Sequence, residues 1–225
     1  MPEPFDGAQG PAAGPQVFLA SRNPKKLAEM RRILAEHLPD LEVLGLDDVT
    51  SYDEPVEDAP DFEGNALLKA RAGLAATGIP SLADDSGLCV DALNGMPGVL
   101  SARWSGRLSG QAKNDDANNS LVLDQLADVP DGRRGGEFRC AVAFCYPIGA
   151  GGVAEEVVRG VMRGRVIGER RGTGGFGYDS IFVPDEQDGE FTSAEMPAEQ
   201  KDAISHRGKS LREIAPLVVD VLGGL

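Results

Sequence analysis

Basic residues are scarce in this chain: 22 Lys and Arg stand against 36 Asp and Glu, a formal net charge of −14. Duplex nucleic-acid binders present a basic face, so this balance speaks against a nucleic-acid partner. Cysteine is nearly absent too. The three present, Cys89, Cys140 and Cys145, lie in apolar or strand-like surroundings without C-x-x-C spacing. Zinc and disulfide patterns are therefore missing, which leaves buried, reduced thiols. Long apolar runs are also lacking, and the opening MPEPFDGAQGPAAGPQ has neither the basic nor the apolar region of a secretory signal. A cytoplasmic protein without a membrane partner is expected. An acidic chain can still take a phosphate ligand, but only where it gathers Lys, Arg, backbone N–H groups or a metal ion locally. The placement of the few cations is therefore informative.

With 225 residues and 41% hydrophobic content, the chain can bury a sizeable core. Residues 1–15, rich in Pro, Gly and Ala, read as a disordered tail. The remainder, 16–225, shows no repeat and no linker and reads as a single domain. Val17–Ala20 reads as a buried strand. Leu27, Met30, Leu34 and Leu38 then recur at helical steps after Pro24. A strand is expected over Leu41–Leu46, an acidic loop over Asp47–Asp61, and a helix capped by Asp61 as far as Ala76. Two short strands, Ser81–Ala83 and Leu88–Val90, flank a DDSG turn. A helix over 111–127, strands over Glu137–Tyr146, Glu155–Val161 and Tyr178–Val183, and a last helix over 207–222 containing Pro216 follow. Adjacent strands mixed with helices predict α/β with a mixed sheet.

Four stretches gather charge. In SRNPKK (21–26), Lys25 and Lys26 fall in a helix's first turn, where the macrodipole disfavours cations; they are either surface lysines or, with free N–H groups, an anion site. In FEGNALLKA (62–70), Asn65 and Lys69 share a helical face, and Lys69 either snorkels or points at a ligand. In ADDSG (83–87), Asp84 and Asp85 repel each other unless a cation compensates. Mg²⁺, which takes one or two carboxylates plus phosphate oxygens and water, is one resolution, and an exposed acidic turn is the other. SHRGKS (205–210) contains G-K-S, but position 203 is Ala, so it is not a Walker A loop.

Residues 172–184, GTGGFGYDSIFVP, match G-x-G-x-x-G. A dinucleotide site needs a helix opening on those glycines, whereas here the aromatic and β-branched run reads as a strand closed by Pro184. An NAD-dependent oxidoreductase is disfavoured on that ground.

In order, SRNPKK, ADDSGLCVDALNGMPGVLSARWSG, GTGGFGYDSIFVP and AISHRGKSL resemble the inosine triphosphate pyrophosphatase family, also called XTP/dITP diphosphatases, over residues 16–222. The resemblance implies an elongated, two-lobed α/β fold around a long mixed sheet flanked by helices. It implies Mg²⁺-dependent hydrolysis of ITP, dITP and XTP to monophosphate and pyrophosphate by a homodimer. By position, Ser21, Asn23 and Lys26 match the family's T-x-N-x-x-K triphosphate loop, with Arg22, Pro24 and Lys25 within it. Asp85 matches the metal ligand and proton acceptor, with Asp84 beside it and Ser86 on the substrate. Glu57 takes the place of a second acidic metal ligand, and Lys69 of a lysine near the phosphates. Phe176, Gly177, Tyr178 and Asp179 match the base-side wall, and Lys201, His206 and Arg207 the purine-reading group. Two departures stand out: Ser21 replaces Thr, and Gly64-Asn65-Ala66 replaces a frequent Glu-Asn-Ala.

The intact Asp84-Asp85 pair with Lys26 and Lys69 favours an enzyme over a non-catalytic nucleotide sensor. Hypoxanthine and xanthine carry a 6-oxo acceptor where adenine carries an amino donor. Lys201 and Arg207, which only donate, are thus expected to favour the former. Guanine is also 6-oxo, and no residue in the sequence stands out against its 2-amino group.

Overall fold

The computed structural model describes residues 14–106 and 114–223. The expected tail therefore lies almost wholly outside the described residues, as does the start of the helix expected from 111. The chain runs β1 (Gln16–Leu19), α1 (Pro24–Ala35), β2 (Glu42–Leu44), α2 (Phe62–Thr77), β3 (Ser81–Val90), β4 (Met96–Pro97), α3 (Asp115–Gln125), β5 (Gly135–Ile148), β6 (Gly152–Val166), β7 (Phe182–Pro184), α4 (Ala198–Ile204) and α5 (His206–Gly223). The strands form one seven-stranded sheet in the order β2-β1-β3-β5-β6-β7, with β4 beside β3. β1 pairs parallel with β2 and β3. The β3–β5, β5–β6 and β6–β7 pairings are antiparallel. The mixed α/β architecture is as expected.

Helix ends follow local chemistry. Asn23 caps α1 by accepting from the Lys25 and Lys26 amides, and Pro24 supplies the first helical residue without an N–H to lose. Asp61 caps α2 through the Gly64 amide at 2.8 Å, as its position predicted, and left-handed Gly78 ends that helix. A cap of this kind contributes about 1 kcal/mol. Pro216 sits inside α5 without ending it.

Three apolar clusters arise from sheet alternation. Leu82, Val142 and Phe144 face α1 and α5, while Ala83, Ala141 and Ala143 face α2 on the opposite side. At the other end of the long strands, Leu88, Phe138, Met162 and Phe182 pack with α3. Close approach of α5 to β6 depends on glycine: a Cβ on Gly160 would lie 2.0 Å from the His206 carbonyl oxygen. The glycine of G-K-S has a similar role, since a Cβ on Gly208 would lie 2.0 Å from the Asp202 carbonyl oxygen.

Two local expectations are corrected. DDSG is not a turn between short strands; it lies inside the ten-residue β3, paired continuously with β5 from Ser81 to Val90. Long-range pairing overrides the turn preference of Asp, Ser and Gly there. Only Phe182–Pro184 of the strand expected over Tyr178–Val183 is a strand, because Asp179–Ile181 forms a single 3₁₀ turn. No α-helix opens on the glycines, so the objection to a dinucleotide site stands.

Candidate active site

A cavity of about 420 Å³ opens between the Ser21–Lys26 loop, the middle of β3, the Phe176–Asp179 loop and the start of α5. Alternation along β3 sends neighbouring carboxylates to opposite faces. Asp84 turns toward α1 and α5, where Lys26 Nζ lies 2.9 Å from its Oδ2, and Arg207 Nε and Nη2 both lie at 3.1 Å. Burial pushes the Asp84 carboxyl up, but Lys26, Arg207 and Lys69 together outweigh it and hold the group well below the usual carboxylate range. The expected repulsion between the two acids is relieved by cations gathered around both, with Lys26 and Arg207 bonded to Asp84 and Lys69 beside Asp85.

Asp85 faces α2. Its Oδ2 accepts from buried Asn65 at 2.9 Å, and its Oδ1 from the Ser86 amide at 3.0 Å. Lys69 Nζ lies 3.7 Å from Asp85 Oδ1 and 3.3 Å from Glu57 Oε1, so two carboxylates from separate segments converge on one cation. Burial dominates at Asp85 and raises its carboxyl above the ordinary value despite Lys69 and Lys26. At Lys69 burial lowers the ammonium's pKa, but the charges of Asp85, Asp84 and Glu57 prevail and raise it. Lys69 therefore points at the site instead of snorkelling.

The phosphate-side expectation needs adjustment. The Lys25 and Lys26 amides are not free, because Asn23 Oδ1 accepts from them at 3.0 and 3.4 Å. Ser21, Arg22, Asn23 and Lys26 line the cavity, whereas Pro24 and Lys25 do not. Lys25 Nζ instead donates to the Gly175 carbonyl at 2.7 Å, joining α1 to the glycine loop.

At the far end, the Phe176 ring has Lys201 Nζ 5.2 Å and the Arg207 guanidinium carbon 5.6 Å from its centroid. Asp179 Oδ2 accepts from Lys201 at 2.7 Å and from the Phe176 amide at 2.8 Å. Tyr178 donates its hydroxyl to the Ser101 carbonyl at 2.8 Å, so it contributes a wall and no free donor. His206 stacks on Phe138 with ring centroids 4.9 Å apart, and its buried Nδ1 has no partner among the described residues. Burial, then Arg207 and Lys201, depress its pKa well below the ordinary histidine value, so the ring is neutral near pH 7. Arg207 is nearly saturated. Besides its bonds to Asp84, Nη1 donates to Glu29 at 2.6 Å and Nη2 to Ser86 at 2.9 Å, which occupies four of its five N–H groups.

No group of three or more His, Cys, Asp or Glu among the described residues forms a protein-only metal cage. Glu57 and Asp85, which converge on Lys69, are oxygen donors of the kind Mg²⁺ takes, an ion held by one or two carboxylates with water and phosphate oxygens completing its shell.

The Ham1 family model matches residues 17–217. The chain belongs to the Ham1 family. It is 54% identical over 202 residues to a dITP/XTP pyrophosphatase of Nocardia farcinica, covering 89% of this chain and 93% of that protein. It is 51% identical over 210 residues to a dITP/XTP pyrophosphatase of Cutibacterium acnes, covering 93% and 98%. Among solved structures, a nucleoside-triphosphatase / dITP/XTP pyrophosphatase from Mycobacterium abscessus superimposes with a TM-score of 0.67 at 49% identity, covering 89% of this chain and 99% of that one. The Staphylococcus aureus Ham1 protein gives 0.75 at 32%, covering 90% and 97%.

In this Ham1-family chain, sequence reasoning missed several residues around the cavity. Glu29, buried on α1, pairs with Arg207 and carries no sequence signal beyond its place three residues after Lys26. The spacing of Asn65 places it on the helical face of Lys69, but no sequence signal marks it as the group that joins Asp85 to the acidic loop by accepting from the Ala59 amide at 3.0 Å. Asp115, Ser101 and Phe138 also line the cavity; their contacts come from segments distant in the chain.

Proposed function

We propose that this Ham1-family chain hydrolyses non-standard purine nucleoside triphosphates, namely ITP, dITP and XTP, to monophosphate and pyrophosphate with Mg²⁺. The observation that carries this reading is the convergence of Asp85, Glu57 and Lys69 at one end of a cavity whose other end holds Phe176, Lys201 and His206. Asp85, oriented by Asn65, accepts a proton from the attacking water. Mg²⁺, when held by Asp85 and Glu57, supplies charge neutralisation at the phosphate oxygens. Lys69 and Lys26 offset charge on the triphosphate, while Ser21, Arg22, Asn23 and Ser86 line its path. The bond broken joins the α-phosphate to the departing pyrophosphate.

At the base end, the Phe176 ring offers a stacking face, with Gly177, Tyr178 and Asp179 completing the wall. Lys201 donates to the 6-oxo group. Arg207, with one N–H left, contributes less hydrogen bonding to the base than its charge suggests and serves largely to hold Asp84, Glu29 and Ser86. The neutral His206 lines the purine end, with its Nδ1 buried and without a partner among the described residues. A homodimer and a cytoplasmic location complete the reading; light scattering of the purified protein tests the former.

A panel of purine and pyrimidine triphosphates with and without Mg²⁺, scored separately for phosphate and pyrophosphate, tests this function. Pyrophosphate release from ITP, dITP and XTP in the presence of metal, with far slower turnover of ATP and GTP, is expected. Release of phosphate alone, or equal turnover of ATP, would overturn the reading.

A further inference from the structure

The base-side loop is held by the first turns of α3, with Asp115 at the cavity wall and Asn119 behind it. Asp115 Oδ2 accepts from the Gly177 amide at 2.8 Å, and Asn119 Nδ2 donates to the Gly177 carbonyl at 2.8 Å. Asn119 Nδ2 also donates to the Asp115 carbonyl at 2.6 Å, which ties the two clamping residues to each other. They are four apart, hence on one helical face. Gly177 has a φ of 62°, in the left-handed region, and its two bonds fix the peptides that join it to Phe176 and to Tyr178. A third link from the same turns runs to Arg170, which donates to Asp116 Oδ1 at 2.6 Å and Ser120 Oγ at 2.9 Å. Asn119 is 2% exposed and does not line the cavity, so it reaches a ligand only through the loop.

The geometry points to Asp115 and Asn119 as positioning residues for base discrimination: they set the place of the Phe176 ring and, through it, the fit of the purine against Lys201. This inference rests on the hydrolytic reading above. A displaced ring weakens the interactions that distinguish one base from another, and lost base–aromatic stacking costs roughly 10–100-fold in affinity. Asp85, Glu57 and Lys69 lie at the other end of the cavity. The loss therefore falls on the KM for the preferred base, because it removes binding common to ground and transition states.

The test compares Asn119→Ala, Asp115→Ala and Asp115→Asn with the unaltered protein; the last keeps an acceptor oxygen for the Gly177 amide. Two readouts are taken: kcat and KM on ITP and ATP, and hydrogen exchange of amides in residues 172–181. For Asn119→Ala and Asp115→Ala, a KM for ITP raised ~10–100-fold is expected, with kcat within ~3-fold and an ITP:ATP ratio of kcat/KM reduced at least ~10-fold. Faster exchange across the loop accompanies this, and Asp115→Asn recovers most of both effects. Unchanged exchange in Asn119→Ala overturns the clamp. Faster exchange with an unchanged ITP:ATP ratio, or equal falls on both nucleotides, overturns its role in discrimination. If the unaltered protein hydrolyses neither nucleotide, the functional reading fails and the discrimination role with it, while exchange still decides the clamp.

Discussion

Asp84 and Asp85 are consecutive residues whose carboxylates lie on opposite faces of β3, Asp84 held by Lys26 and Arg207 and Asp85 by Asn65 and Lys69. The strand's alternation thus divides an acidic pair between two tasks. Asp84 is the buried counter-charge that locks α1 and α5 to the sheet. Asp85 faces the cavity with its carboxyl raised by burial, as suits a group that takes up a proton.

Exchanging each acid for its amide separates the two tasks. Asp85→Asn should lower kcat on ITP by ~10²–10⁴-fold with little change in urea midpoint. Asp84→Asn leaves Lys26 without its buried partner and Arg207 with Glu29 alone, and should cost about 3–5 kcal/mol of stability. Equal stability losses in both variants, or near-normal turnover by folded Asp85→Asn, would contradict the division.

Glu57 reaches Lys69 from the acidic loop and shares that cation with Asp85. Glu57→Gln should move the Mg²⁺ activation curve to higher concentration while leaving turnover at saturating Mg²⁺ closer to normal. An activation curve that superimposes on that of the unaltered protein removes Glu57 from the metal.

Lys201 and Arg207 both approach Phe176 but differ in how many donors they keep. Lys201→Ala should lower the ITP:ATP ratio of kcat/KM. Arg207→Ala removes the ion-pair partner of buried Glu29 and leaves Asp84 with Lys26 alone, so its main effect should be a loss of about 3–5 kcal/mol, read by urea unfolding. If Lys201→Ala lowers both nucleotides equally, Lys201 serves the phosphates and not the base.

His206 provides a pH test with a definite sign. Its folded pKa is depressed by burial and by Arg207 and Lys201, while the unfolded value is about 6.5. Below about pH 6.5 the unfolded chain binds the extra proton, so His206 makes stability fall as pH falls toward the folded pKa. The slope from this group is about 1.4 kcal/mol per pH unit between the two values. In metal-free urea titrations, His206→Phe, which keeps the stack on Phe138, should lose this part of the slope. An identical pH profile in the variant would show that His206 does not titrate as argued.

Local signals were legible where a residue's own chemistry decides its structure. Asn23-Pro24 and Asp61 announce helix starts, and the apolar steps through Leu27, Met30 and Leu34 mark the buried face of α1. The glycine run followed by Phe182 and Val183 argued correctly that no helix opens at 172–177. The motifs carried the family, which the match over residues 17–217 bears out. What the sequence by itself determined is therefore the helix starts, the mixed α/β class and the family. Tertiary structure alone decided which carboxylate faces which cation. DDSG has turn chemistry, yet pairing with ten consecutive positions of β5 draws it into a strand, and a period of two then separates Asp84 from Asp85. The same holds for Arg207, which meets Glu29 across 178 residues of chain, and for Asn119, which meets Gly177 across 58. No local pattern encodes such partners, because the free energy that selects them comes from burying charges and backbone groups that only the folded sheet and helices bring together.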